Sequence, residues 1–253
     1  MMIVHEVAGQ MPITSRHYWL ARIDAWIIRR IARTADVLVT NTEHHQVKLR
    51  SISRRDDVHL FPVASNIRIA PTGSIARSAT EFVIFGLPFR RLHTVQKFES
   101  DIRRWHAAGR LKRLHLIGPD GDELTKQADA LLATMPQSIS VVRHGRLPAA
   151  EVSRILSSAR FALTDVTPET WSKSGAFMAC AAHRCLPVVA GADHGPVPLS
   201  FAITPEELET ISADDIDRRA SALAQWYEEN AAWPVIASRM AALLQKESPA
   251  CVG

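Results

Sequence analysis

Four cationic side chains, Arg90, Arg91, Arg146 and Lys173, stand in glycine-bearing turns that follow short apolar runs. The four turns after these runs read Gly86-Leu87-Pro88-Phe89-Arg90-Arg91, Gly118-Pro119-Asp120-Gly121, His144-Gly145-Arg146, and Asp165 through Gly175. Glycine lets a backbone approach a ligand closely. Guanidinium and ammonium groups neutralise phosphate oxygens. Ser174-Gly175 opens an apolar helical stretch, and a helix N-terminus offers unpaired N–H groups and the positive end of the macrodipole. The chemistry these residue types suit together is the holding of a phosphate-bearing ligand. A single exposed arginine is usually a solvated charge; the recurrence of cations at three of the four turns carries the reading.

Other chemistries find little support. No G-x-G-x-x-G follows the first run and no Walker A lysine loop occurs, which disfavours a standard dinucleotide or ATPase site. No G-x-S-x-G elbow is present. The eleven histidines form no zinc pair with a third ligand, His44 and His45 being adjacent, and Cys180, Cys185 and Cys251 have no metal-ligand spacing. No metal and no cofactor are expected. His183 falls at a helix C-terminus, where a favourable dipole contact is the default role.

The elements that must position these residues alternate regularly. Strands are expected at 82–85, 114–117, 139–142, 161–163 and 186–190, with helices at 94–108, 123–134, 149–159 and 174–183. Short apolar runs separated by amphipathic helices of this length make βαβ units and a parallel sheet, and the handedness rule makes that sheet doubly wound. Ligands bind such sheets at the carboxyl ends of the strands, which is where the four turns lie. Upstream, Met2-Ile3-Val4 reads as a strand ending in His5-Glu6. A helix from Ser15 to Thr34, with Ser15 as its N-cap, leads to a strand at 36–40, a polar helix at 43–50 and a strand at 58–63. The loose stretch 64–78 is the expected boundary, and the tail after 201 is helical.

The helix at 15–34 carries Trp19, Leu20, Ile23, Ile27 and Ile31 at helical spacing, with Arg16, Arg22, Arg29, Arg30 and Arg33 on its other face. A solvated basic face is the default reading, and contact with a membrane surface is the alternative. Hydrophobic residues make up 47% of the 253 and charged ones 22%, as in an ordinary globular protein. The net charge of +4 is too small to argue for nucleic acid, and suits an anionic small ligand or acidic headgroups. No stretch has the apolar length of a membrane span, and the start lacks a signal peptide's basic and apolar regions. Two cysteines within an apolar segment read as buried thiols of a reducing cytoplasm. A cytoplasmic protein, peripheral at the inner face of the membrane, is the expectation.

Several segments, in order, resemble the GT-B glycosyltransferases of glycosyltransferase family 4. "ADVLVTNTEHHQVKL" looks like the segment closing their N-terminal domain, and "HLFPVASNI" is similar to the crossover into the second. "FVIFGLPFRR", "RLHLIGPDGDE", "VRHGRLPAAEVSRILSSARFALT" and "KSGAFMACAAHRCLPVVAG" match the strand, loop and helix series of the nucleotide-sugar-binding domain, and "WYEENAAWPVIASRM" resembles the helices that cross back. The resemblance implies a Rossmann-like C-terminal domain of a GT-B glycosyltransferase with a partial N-terminal domain: residues 1–63 as acceptor-side domain and crossover, 64–200 as nucleotide-sugar-binding domain, and 201–253 as helices packing back. It implies transfer of a sugar from a nucleotide-sugar donor to a glycan or lipid-linked acceptor, without a metal. Donor-binding positions would be Gly86, Arg90, Arg91, Gly118, Gly145, Arg146, Ser172, Ser174, Gly175 and Cys180, with His5 and Glu6 on the acceptor side. Catalytic roles would fall to Glu169 and Lys173.

Two departures from the family pattern stand out. Aligned on Leu186-Pro187-Val188-Val189, the family's two glutamates fall at Ser172 and Cys180, so the carboxylate that grips the ribose is missing; Glu169 lies three residues before the first position. The early strands of the N-terminal domain are also missing. The true start would lie upstream, the gene would be truncated, or a partner chain would complete the domain. A non-catalytic nucleotide-binding or scaffold subunit of a glycan-assembly complex is the alternative, and a nucleotide-sugar epimerase a weaker third.

Overall fold

The computed structural model describes residues 1–5, 12–71, 76–121, 123–191, 195 and 197–247. The chain forms two compact units, one of residues 1–63 and 230–253, the other of residues 64–229. Residues 230–253 group with the N-terminal part, whereas 201–229, expected among the helices packing back, belong to the second unit. The reason is that Ile203, Leu208, Ile216 and Ala220 are buried in that unit's core.

The first unit holds β1 (Met2–Val4), α1 (Tyr18–Thr34), β2 (Leu38–Thr40), α2 (Glu43–Ser53) and β3 (Val58–Leu60). The strands form a parallel sheet in the order β1-β2-β3, packed on a small core of Val4, Ala32, Leu38, Leu49 and Val58. Thr42 caps α2 by accepting from the His45 N–H. Ser15 is not the cap of α1: the helix begins at Tyr18 with His17 at that position.

The second unit carries β4 (Ser78–Phe85), α3 (Pro88–Lys97), α4 (Glu99–Ala107), β5 (Arg113–Ile117), α5 (Glu123–Ala133), β6 (Ser140–Gly145), α6 (Ala149–Ser158), β7 (Ala159–Thr164), α7 (Gly175–Ala182), β8 (Leu186–Val189), α8 (Glu207–Thr210) and α9 (Ala213–Asn230, its last residue in the first unit). A further helix, α10 (Trp233–Glu247), belongs to the first unit. The five strands are parallel in the order β6-β5-β4-β7-β8. Successive strand residues point to opposite faces. Phe82, Ile84, Leu114, Leu116, Phe161 and Leu163 thus share one core with α4 residues Ile102 and Trp105. Val83, Ile117 and Ala162 share another with Val152 and Leu156 of α6 and with Ala179 and Cys180 of α7. Helices cover both faces, as expected of a doubly wound sheet.

One difference in this unit changes the chemistry. The sequence spacing predicts a single helix over 94–108 and a turn at 86–91. The chain instead starts a helix at Pro88, and a second follows from Glu99. Proline at the first helical position loses no hydrogen bond there and its φ is already helical. Arg90 and Arg91 consequently sit on the first turn of α3, about 100° apart around its axis.

Candidate functional site

The strand order defines the site. From β4 the chain moves outward through β5 to β6, then crosses back to β7 on the other side of β4. In open α/β sheets the crevice at such a reversal, beyond the carboxyl ends of the strands, is the ligand position. Here that point lies between β4 and β7.

Three glycines keep the carboxyl edge low on one side of it. The Gly86 N–H donates to the Ile117 carbonyl at 3.1 Å, and the Gly118 N–H to the Gly145 carbonyl at 3.0 Å. A side-chain carbon at Gly118 would meet the Gly86 carbonyl oxygen at 2.0 Å, and φ there is +138°. Only glycine fits. At Gly145, φ is +62° and a side-chain carbon would come within 3.3 Å of the Asp120 carboxylate.

The two arginines of α3 take opposite directions. Arg91 is buried. Its guanidinium donates to the carbonyls of Gly118 (3.0 Å) and Pro119 (2.5 Å) and to the Asp120 carboxylate (2.7 Å). The expected direct grip on a ligand is thus replaced by a positioning role: Arg91 holds the 118–120 turn in place. Arg90 is half-exposed and donates through one terminal nitrogen to Asp165 Oδ2 at 2.9 Å, with its guanidinium 5.2 Å from the centre of the Phe89 ring. No hydrogen bond among the described residues engages its remaining N–H groups.

Asp165 was not singled out in the sequence. It directly follows β7, is only 6% exposed, and takes both Arg90 and His93 Nδ1, each at 2.9 Å from the same oxygen. Arg90 of α3 is thereby pinned across the reversal point to the end of β7. A buried acid just beyond a strand is the signal available in sequence, but the strand order needed to pair it with α3 is not.

Beyond Asp165, the Thr167 hydroxyl donates to the Glu169 carboxylate at 2.6 Å and holds that exposed carboxyl below its usual range. Glu169 lines a cleft of about 280 Å³ with Val166 and Pro168 on one side and Val189, Gly191 and Thr204 on the other. Ser172 is buried in a 3-10 turn, Trp171–Lys173, which places Lys173 just before α7. Ser174 caps α7, its hydroxyl accepting from the Phe177 N–H at 3.2 Å, and Gly175 is exposed at the first helical position. The N-terminus of α7 is therefore formed and open. Arg146 is exposed in the turn before α6.

Cys180 does not line this edge. Its side chain lies in the core between sheet, α6 and α7 together with Cys185. The contact with the Cys185 thiol, and then burial, push the Cys180 thiol well above its ordinary range. A neutral thiol in an apolar core neither grips hydroxyl groups nor reacts as a thiolate. Among the described residues no group of three or more histidine, cysteine, aspartate or glutamate side chains could hold a metal ion.

In the first unit, His5 follows β1, and its Nδ1 lies 3.1 Å from Asn41 Nδ2, just after β2. Glu6 lies outside the described residues. Asn41 is buried, and its Oδ1 has no hydrogen-bond partner among the described residues. An amide directly after a strand end is the signal this asparagine carries in the sequence. His5 and Asn41 thus form a polar pair at the carboxyl edge of the smaller sheet.

No protein-family model matches the sequence, and no curated protein matches it. Solved structures do match. TarM superposes with a TM-score of 0.64 at 10% identity over 95% of this chain, and a sucrose-phosphate synthase from Thermosynechococcus elongatus with 0.61 at 13% identity over 92%. WaaG, a glycosyltransferase involved in lipopolysaccharide biosynthesis, superposes with 0.63 at 9% identity over 90%. The chain spans 49% of TarM, 64% of the synthase and 68% of WaaG. At such identities the likeness is one of fold, and it extends across both units: the chain has the fold of the GT-B glycosyltransferases, with a Rossmann-like second unit.

Proposed function

We propose that this chain is a glycosyltransferase of the family 4 type, or the donor-binding half of one. It would move a sugar from a nucleotide-sugar to a glycan or lipid-linked acceptor. The observation that carries the reading is the built reversal point in a GT-B fold: Gly118, where a side chain would strike the Gly86 carbonyl, Arg90 pinned by Asp165, and the open N-terminus of α7. A complex of S. aureus TarM, whose fold this chain shares over 95% of its length, contains UDP.

The diphosphate of the donor is the leaving group, and negative charge builds on it as the glycosidic bond breaks. Preorganised positive groups aimed at that charge lower the barrier. The N–H groups at Gly175 and Ala176, the α7 dipole, Lys173 and the uncommitted side of Arg90 would supply them without a metal ion. Gly86, Gly118 and Gly145 would admit the nucleotide, with Arg146 at the rim. Ser172 replaces the family's first glutamate, so Glu169 is the carboxylate assigned to the donor sugar. With Cys180 in the core, the side chain at the aligned position does not take the ribose-clamping role, and the backbone at the glycine turns would hold the nucleoside. His5 with Asn41 would face the acceptor, Glu6 being its companion in sequence, and a partner chain would complete the acceptor side.

The test is a thermal-shift series with uridine, guanosine and adenosine diphosphates and their sugars. A ligand of the native state at a hundredfold excess over its Kd adds about 2.7 kcal/mol, several degrees for a chain of this size. A shift with one base identifies the donor class. No shift with any removes the donor reading.

A further inference from the structure

Three arginines gather at the end of the larger sheet that the donor reading leaves unused. Arg77 directly precedes β4, Arg160 is the second residue of β7, and Arg184 stands two residues before β8. The three strands are parallel neighbours in the order β4-β7-β8, so all three side chains start from the amino edge. Arg160 and Asp165 stand at opposite ends of β7, about 16 Å apart along the strand. With Ile216, Asp217 and Ala220 of α9, the three arginines line a cleft of about 410 Å³, a size that holds a small molecule.

Their own contacts leave this cleft positive. Arg77 donates through Nη1 to the Ala159 carbonyl at 3.1 Å and through Nη2 to the His183 carbonyl at 2.5 Å, closing the ends of α6 and α7. Arg160 donates through Nη2 to the Asp217 carboxylate at 2.8 Å and the Ala213 carbonyl at 3.5 Å. Its Nε, however, is buried with no hydrogen-bond partner among the described residues, and a buried donor left unpaired is costly. Arg184 is exposed and reaches the Ser221 hydroxyl through one terminal nitrogen. Three guanidinium groups thus share one carboxylate among the described lining residues, and that carboxylate is 62% exposed. Burial, and with it the charges of Arg184 and Arg160, push Arg77 below its ordinary range. An anion between them would relieve the repulsion, and guanidinium groups suit phosphate oxygens.

Arg184 also stands where the backbone favours glycine. Its N–H donates to the Ala181 carbonyl and the next N–H, of Cys185, to the Cys180 carbonyl, closing α7 with Arg184 at a φ of +55°. Glycine takes this left-handed position at least cost, so Arg184 has no backbone reason to be there.

We propose that this cleft is a second anion site, which takes the phosphate of a small phosphorylated polyol. Arg160 and Arg184 hold the phosphate, Arg77 adds its charge, and the second carboxylate oxygen of Asp217 accepts from a hydroxyl of the polyol. The site stands on the amino edge alone, so it survives or fails separately from the donor reading at the carboxyl edge.

The experiment is calorimetric titration of the full chain with sorbitol 6-phosphate and with inorganic phosphate, repeated on Arg184→Gly, Arg160→Gln and Arg90→Ala. The expected result is saturable binding of sorbitol 6-phosphate, tighter than that of inorganic phosphate. Binding should weaken at least tenfold in the first two variants and stay unchanged in Arg90→Ala. Arg184→Gly supplies the residue its left-handed turn prefers and should melt no lower than the unaltered protein, so lost binding there is not lost folding. Equal affinity for the two probes would overturn the role of Asp217. Absence of saturable binding would overturn the proposal. Binding lost in Arg90→Ala and kept in the other two variants would overturn it as well, and place the anion at the carboxyl edge.

Discussion

The Gly86 carbonyl oxygen stands 2.0 Å from the point a side-chain carbon at Gly118 would occupy. Two neighbouring strands, β4 and β5, therefore end with their backbones in contact, and the edge above them stays open for a ligand. Gly118→Ala would force the turns apart and demand an unfavourable φ as well. A loss of about 2–4 kcal/mol is expected, at the upper end of single-residue effects. Urea titration measures it, and an unchanged midpoint would mean that the turns separate freely.

Arg90 and Arg91 are adjacent in sequence and should fail differently. Arg91→Ala strips donors from two carbonyls and a carboxylate around a buried position, which should cost about 2–3 kcal/mol. Arg90→Ala removes a half-exposed group but leaves the buried Asp165 carboxylate with His93 alone, which should cost about 1–3 kcal/mol. It should also weaken nucleoside diphosphate binding roughly tenfold, the loss of one charge-assisted contact. Calorimetry and thermal melts on the two variants separate these roles. Lys173→Ala should resemble Arg90→Ala in affinity; unchanged affinity would take Lys173 out of the site.

Three histidines make the fold sensitive to acid. Burial lowers the His115 imidazole below its ordinary range; burial and the neighbouring His115 lower His144; burial lowers His183. The His183 Nδ1 faces the Ala179 carbonyl at 2.7 Å, which can only accept, so Nε2 is left to accept from the Ser153 hydroxyl at 2.9 Å. The neutral ring satisfies both contacts. Each of these histidines takes up its proton at a lower pH in the native chain than in the unfolded one. Stability is therefore fully present above about pH 6.5 and declines as pH falls below it. His115 and His183 each set a slope of at most about 1.4 kcal/mol per pH unit. Urea melts across this range, repeated with His183→Gln, should show the decline and its partial removal.

Cys180 and Cys185 should resist alkylation in the native protein, since both are buried and a neutral thiol is a poor nucleophile. Site-resolved mass spectrometry with iodoacetamide should find them modified only after denaturant is added. Rapid labelling of Cys180 under native conditions would place it at the open edge instead of in the core.

The alternation of apolar runs with helical stretches was enough, without coordinates, to specify the class of sheet and the four turns at its carboxyl edge. Both are local properties: a strand or a helix is written in residue periodicity, and a turn in its glycines. Which side chains meet was decided by tertiary structure. The direction of Arg90 and Arg91 depends on where α3 begins, and Pro88 moves that start by two turns, sending one arginine into the core and the other to Asp165. Asp165 joins α3 only because β7 returns beside β4, a pairing between residues 75 apart. Cys180 faces the core because α7 packs that side against Val83 and Ala162, although alignment to a family pattern had placed it beside the ligand. Strand order and helix rotation arise from burying two apolar faces at once, and no single segment of the chain encodes that choice.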